Sequence, residues 1–236
     1  MVGQILSEEQ VESYYREGFV VVRQLVSEAV VQSVRHEADR THFTDGGEWT
    51  PQIFDFAEPG KDAALHQCLV DPRVVGAVNQ LLDNEAAAYF GMLAVVPAHG
   101  GKGLEWHQDN QYTHLLGKAL NVFIALCDIT PDKAILWVAP RSHLLGVQPA
   151  EIHNGHRRAA APDNGQPLPT LRAGDACIFD RTTLHRSLTN ETDKPRYAYA
   201  AQYAQWSVRE ATTGRRPERL LRVADLRKAW SACCPA

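Results

Sequence analysis

The chain has 236 residues, 44% of them hydrophobic, with 24 Lys and Arg against 28 Asp and Glu and a formal net charge of −4. That length and apolar content suit one domain around one sizeable core, and the slight acidic excess gives no general attraction to nucleic acid or to an anionic membrane. Met1 to Gln10 carries acidic residues and no apolar h-region, and no apolar run approaches the roughly 20 residues of a membrane span, so a cytoplasmic protein outside the membrane is expected.

Ser7 followed by Gln10 spells a capping box that opens a helix to about Glu17, where Gly18 can take the left-handed terminating conformation. A short strand at 19–22 comes next, then a helix from Ser27 to about Arg40 with Val30, Val31 and Val34 on its apolar side. Residues 41–61 are rich in Gly, Pro and aromatics without periodicity and read as a long loop of the kind that serves as a lid. Asp71-Pro72 supplies an N-cap and a first-turn Pro for a helix to about Asp83. From Ala87 the pattern changes to short β-branched and aromatic runs at 87–96, 119–128, 134–139, 175–180 and 196–206. Residues 151–170 read as an exposed polar loop. The tail from Arg209 reads as an amphipathic helix carrying Leu220, Leu221, Val223 and Leu226.

The expected fold is therefore mainly β with flanking helices, all in one domain over 1–236. A helical part covers about 1–85, a double-stranded β-helix (a cupin-like jelly roll) about 86–206, and a helical tail about 207–236. The five cysteines, Cys68, Cys127, Cys177, Cys233 and Cys234, include no Cys-x-x-Cys. Cys127 and Cys177 lie in apolar runs and read as buried thiols of a reducing compartment.

Among ten histidines a single His-x-Asp tripeptide, here His107-Gln108-Asp109, says little by itself. Taken singly, His107 and His185 read as satisfied imidazoles, Ser187 as a surface hydroxyl and Phe123 as core. His143 in a Pro-x-Ser-His turn and the pair His153 and His156 are rival ligands, the pair lacking the helical i, i+4 spacing of a zinc site. Arg215, Arg216, Arg219 and Arg222 read as a solvated helix face. Arg196 opens the apolar run YAYAAQYA, so its side chain is expected to face a core or pocket, where it needs an anionic partner.

Five separated segments, in order, carry a resemblance. Glu105–Tyr112 (EWHQDNQY) resembles the His-Gln-Asp-x-x-Tyr iron motif of the phytanoyl-CoA dioxygenase family. Asn121–Pro131 (NVFIALCDITP) is similar to that family's core strand and turn, and Val138–His143 (VAPRSH) to its Val-Pro-Gly-Ser-His segment. Leu171–Asp180 (LRAGDACIFD) and His185–Arg196 (HRSLTNETDKPR) resemble the turn, strand and distal block that follow. Val11–Val26 also matches the opening helix and strand, so the likeness runs from about residue 7 to about residue 204. Two departures stand out: Asp132-Lys133-Ala134 replaces an acidic residue or Asn followed by Gly, and Arg141 replaces the Gly of Pro-Gly-Ser-His. Both fall at the expected pocket mouth, and an acyl-CoA substrate is not carried over.

The resemblance implies a site. His107, Asp109 and His185 would hold Fe(II), two imidazoles and a carboxylate leaving three positions open on one face. Arg196 would take the far carboxylate of 2-oxoglutarate in a two-pronged pair, with Ser187 and Gln108 as further cosubstrate contacts. With O2 the implied reaction yields succinate, CO2 and a hydroxylated small molecule; a natural product or amino acid derivative fits by analogy. Oxidative cyclisation, desaturation or epimerisation uses the same cofactors, and a non-catalytic jelly-roll binding protein is the alternative from another class. Asp109 argues against halogenation, for which family members replace this carboxylate by a small residue. Trp49, Phe54, Phe56 and Arg141 are the expected substrate contacts, no nucleic-acid or membrane partner is expected, and nothing in the pattern bears on oligomeric state.

Overall fold

The structure is a computed structural model and describes residues 4–41, 50–54, 57–58 and 63–233. Helix α1 (Glu8–Glu17) forms on its capping box: Ser7 Oγ accepts from the Gln10 N–H at 3.2 Å, Gln10 Oε1 accepts from the Ser7 N–H at 2.9 Å, and Gly18 ends the helix at φ 85°. Strand β1 (Phe19–Val22) and helix α2 (Glu28–Thr41) follow, the helix burying Val30, Val31 and Val34. Strand β2 (Thr50–Ile53) and helix α3 (Ala63–Leu69) fall where the sequence offered only a loop and an unassigned stretch. Helix α4 (Pro72–Leu81) starts where Asp71 accepts from the N–H groups of Arg73 and Val74.

The β region runs β3 (Ala86–Val96), β4 (Leu115–Leu116), β5 (Ala119–Ala125), β6 (Leu136–Val138), β7 (Ala150–His153), β8 (His156–Ala159) and β9 (Gln166–Pro167). It continues with β10 (Ala176–Asp180), β11 (His185–Ser187), β12 (Arg196–Gln205), β13 (Arg209–Glu210) and β14 (Leu221–Arg222), and helix α5 (Val223–Cys233) closes it. Two expectations are corrected. Residues 151–170 hold the β7–β8 hairpin, reversed at Asn154-Gly155 with positive φ at both, the two-residue turn that suits strand twist. The tail from Arg209 forms two short strands before its helix, which begins only at Val223.

The seven-stranded sheet has the order β1-β10-β5-β12-β3-β14, with β2 on the edge of β3, all pairs antiparallel. A three-stranded sheet, β11-β6-β9, faces it: Leu136 and Val138 of the small sheet share one apolar cluster with Phe123, Phe179 and Ala198 of the large one. Two facing antiparallel sheets with helices outside the larger one make the jelly roll. The main core lies on the other face of the large sheet, where Tyr197, Tyr199 and Tyr203 of β12 pack with Val34, Leu65, Leu69 and Val78 of the helices. Among the described residues no helix is long and apolar enough to cross a membrane. Cys68, Cys127 and Cys177 are free thiols; Cys68 and Cys177 are buried, whereas Cys127 is only half-buried.

Candidate metal and cosubstrate site

Alternation along the strands decides which side chains reach the space between the sheets. Gln202 of β12 pairs with Phe90 of β3 and Asn121 of β5, and Asn121 pairs with Phe179 of β10, giving one inward row. Ala200 pairs with Met92 and Phe123 in the next. These rows line a cavity of about 430 Å³, and the small side chains of Ala94 and Ala200 leave its room.

His107 and His185 face each other as an antiparallel bridge, each backbone N–H donating to the other's carbonyl at 3.0 Å. Such pairing puts both side chains on one side, and the rings lie 4.2 Å apart by centroid. Asp109 joins them from the first residue of a 3₁₀ turn, Asp109–Gln111, not by strand alternation as the His-x-Asp spacing suggests. His185 likewise opens β11 of the small sheet instead of ending the strand that carries Asp180. The ligand atoms of His107, Asp109 and His185 all lie within 4.8 Å of one another, the only such group among the described residues.

The tautomers are fixed. His107 Nδ1–H donates to the Glu105 carbonyl at 2.6 Å and His185 Nδ1–H to the Thr183 carbonyl at 3.0 Å, so both Nε2 lone pairs face the cavity. Burial, then the neighbouring His185, pulls the His107 pKa down to about 4, keeping this imidazole neutral at ordinary pH. Burial alone would raise the Asp109 carboxyl; His185, His107 and Arg181 and a hydrogen bond from Asn121 outweigh it and hold Asp109 below the usual carboxylate range. Arg181, itself buried, donates to the carbonyls of Asp109 at 3.0 Å and Thr113 at 3.2 Å, and to Gln202. Two imidazoles that turn Nε2 to the cavity and one ionised carboxylate, each braced from behind, can hold a divalent first-row metal.

Arg196 lies at the other end of the cavity, 2% exposed, its guanidinium 5.3 Å from the Phe123 ring centroid. Its Nε and Nη1 have no hydrogen-bond partner, and burial pulls its pKa down to about 10, so it stays charged. A buried cation without a counter-ion is costly, which fits a site shaped for the carboxylate of a ligand. Ser187 shares this end; its Oγ accepts from the Leu104 N–H at 3.4 Å and keeps its own proton to donate. Gly103 lets it do so, since a Cβ there would meet Ser187 Oγ at 2.0 Å.

Other expected contacts stand elsewhere. Gln108 is turned away from the cavity: its amide donates to the carbonyls of Gly146 and Thr182, and its oxygen accepts from the Gln148 N–H at 2.7 Å, tying the start of the 3₁₀ turn that carries Asp109 to residues 146–148 and to Thr182. Phe54 lies on the opposite face of the large sheet, against Gly91 and 6.0 Å from the Tyr199 ring, while Ile53 takes the cavity side. Arg141 is exposed, in the left-handed region at φ 65°, and does not line the cavity. Trp49 and Phe56 lie outside the described residues, as does most of the expected lid. His143 is half-buried beside Gly18 and Thr183, outside the ligand cluster. His156, read as part of a loop, lines the cavity from the β7–β8 hairpin, which Tyr112 draws in by accepting from the Arg157 N–H at 3.1 Å. Sequence reasoning does not single out Asn121, Arg181 or Gln202; inward strand positions are the available signal for Asn121 and Gln202, while Arg181 lies in the turn that follows β10.

The sequence profile described as phytanoyl-CoA dioxygenase matches residues 14–198. The ectoine dioxygenase of Bordetella bronchiseptica is 26% identical over 226 residues, covering 81% of this chain and 73% of its own length. Among solved structures, EvdO2 from Micromonospora carbonacea var. aurantiaca, complexed with 2-oxoglutarate, superposes with a TM-score of 0.74 at 23% identity, over 91% of this chain and 96% of its own. The epimerase SnoN, in complex with Fe3+, alpha ketoglutarate and nogalamycin RO, gives 0.71 at 20%, over 91% and 94%.

Proposed function

Since the chain belongs to the phytanoyl-CoA dioxygenase family, we propose that His107, Asp109 and His185 form its iron site and that it hydroxylates a C–H bond of a small molecule. It is a dioxygenase working with iron, 2-oxoglutarate and O2. The observation that carries the assignment of residues is Arg196: a buried, charged, unpartnered guanidinium in the same cavity as three converging ligands. With iron, 2-oxoglutarate and O2 bound, the net chemistry supplied is R–H + O2 + 2-oxoglutarate → R–OH + succinate + CO2.

The protein's part follows from its own groups. Both imidazoles offer Nε2 because main-chain carbonyls hold the proton on Nδ1, and Asp109 stays ionised under Arg181 and Asn121. Arg196 and Ser187 fix the far carboxylate of the cosubstrate, and Phe123 walls it. Phe90, Met92 and Phe179 exclude water from the place where substrate sits. Anaerobic titration of Fe(II) into wild type and His185→Ala tests this reading. One tightly held iron per wild-type chain and none in the variant is the expected result; equal binding would move the metal elsewhere.

A further inference from the structure

Resting on that oxygenase reading, we infer that the substrate is a small organic carboxylate whose anionic group is held by Arg219 and whose neighbouring N–H or O–H is bonded by Asn121. Charge around the cavity is the first ground. Asp109 is the one acidic side chain among the described residues that line it, against Arg181, Arg186, Arg196 and Arg219. Arg181 is occupied by Asp109, Thr113 and Gln202; the Arg186 guanidinium lies 4.9 and 4.7 Å from the Trp106 and Trp137 ring centroids, its Nε buried without a hydrogen-bond partner, on the strand that carries Ser187 at the cosubstrate end. Arg196 belongs to the cosubstrate. Arg219 is exposed at the cavity and makes no hydrogen bond or ion pair among the described residues.

Register is the second ground. Leu221 pairs with Ala88, and Ala88 with Tyr203, which places Arg219, two residues before Leu221, at the Gln202 end of the cavity. Arg196 starts the same strand six residues before Gln202, about 20 Å away at the strand rise, so a five-carbon diacid held by Arg196 cannot also reach Arg219. Arg219 is left for the substrate. A single guanidinium matches the two oxygens of a carboxylate, while a phosphonate dianion would need more positive charge than this end offers.

Asn121 is the third. It is 3% exposed, its Nδ2 donates to Asp109, and its Oδ1 has no partner, an unmet buried acceptor beside a metal ligand. Asn121 and the Arg219 end are separated by the row through Gln202 and Phe90, a gap that a long Arg side chain narrows to the length of a small molecule. Phe90, Met92 and Ile53 give that molecule's body an apolar wall.

The test uses N-acetyl-L-leucine, N-acetyl-L-methionine and N-acetyl-L-phenylalanine, their methyl esters and their N-methyl analogues. Each is titrated calorimetrically under nitrogen into protein loaded with Fe(II) and 2-oxoglutarate. We expect at least one acid to bind, its ester to bind about 10-fold more weakly, and Arg219→Gln to erase that preference while Arg219→Lys restores part of it. The N-methyl analogue should lose about fivefold or more, through the unmet acceptor of Asn121. Equal binding of acid and ester, an acid preference that survives in Arg219→Gln, an N-methyl analogue that binds as well as its parent, or no acid binding at millimolar concentration would each overturn the inference. Anaerobic Fe(II) titration into wild type and His185→Ala reports separately on the oxygenase reading, so equal iron binding in the two beside an intact acid preference would overturn that reading alone.

Discussion

The two faces of β12 and β3 share a backbone and differ in how completely their polar atoms are met. Outward, Tyr199 and Tyr203 are fully buried and each hydroxyl donates to a helix carbonyl, of Leu65 at 2.9 Å and Leu69 at 2.7 Å. Leu93 and Val95 of β3 fill the same core. Inward, Arg196 has guanidinium nitrogens without partners, Asn121 of the adjoining β5 has an unmet carbonyl oxygen, and alanines hold open space. One face is finished by the chain itself. The other is stable at a cost that ligands can offset, which is how a rigid sheet presents a site without loosening its core.

Variants on the two faces should therefore separate stability from binding. The largest effect is at the ligands: His185→Ala or Asp109→Ala should abolish activity and iron binding with little change in the unfolding temperature of the metal-free protein, checked by metal analysis and calorimetry. Phe54→Ala and Tyr199→Ala, on the finished face, should each cost about 3–5 kcal/mol in denaturant unfolding, while whatever protein remains folded binds 2-oxoglutarate normally. Arg196→Met should do the reverse, weakening 2-oxoglutarate by about 2–5 kcal/mol yet leaving the metal-free fold as stable as wild type or more so.

Acid should act through His107. Its folded pKa lies near 4 against the usual 6.5, so as pH falls through that interval the unfolded chain takes a proton that the folded one refuses, and stability drops. Below about 4 this residue contributes no further loss, and His107→Gln should flatten stability across the window in urea titrations at stepped pH. Through this residue iron affinity should hold across that window and fall only as pH drops through about 4, where the folded His107 takes its proton and can no longer coordinate. The smallest effect belongs to Arg141→Gly: relief of a positive φ and gain of unfolded-state freedom oppose each other, and the net should stay within about 1 kcal/mol, with iron and cosubstrate binding unchanged.

Much of this was legible in order and pattern. Ser7 with Gln10, Gly18 and Asp71-Pro72 are local signals, and local hydrogen bonds decide those helix ends. His107, Asp109, His185, Ser187 and Arg196 all reach one cavity because ordered motif segments identify strands that a jelly roll brings together. What stayed hidden is set by register and by faces. Nothing local says that Phe54 rather than Ile53 turns outward; Gly91 decides it, because only a residue without Cβ leaves room for that ring. Gln108 sits between His107 and Asp109 in sequence, yet the 3₁₀ turn at Asp109 leaves it bonded to Gly146 and Thr182. The β7–β8 hairpin is hidden by its polarity, since β7 is largely exposed, β8 is half-buried but reads His-Arg-Arg-Ala, and neither shows apolar alternation.

That β12 carries a ligand-completed face is tested most directly by titrating 2-oxoglutarate, under nitrogen, into iron-loaded wild type and Arg196→Met. One iron per chain is expected in both, with a loss of cosubstrate affinity of about 30-fold or more in the variant. Equal affinity in the two proteins would contradict it, and would mean that the buried guanidinium faces no ligand at all.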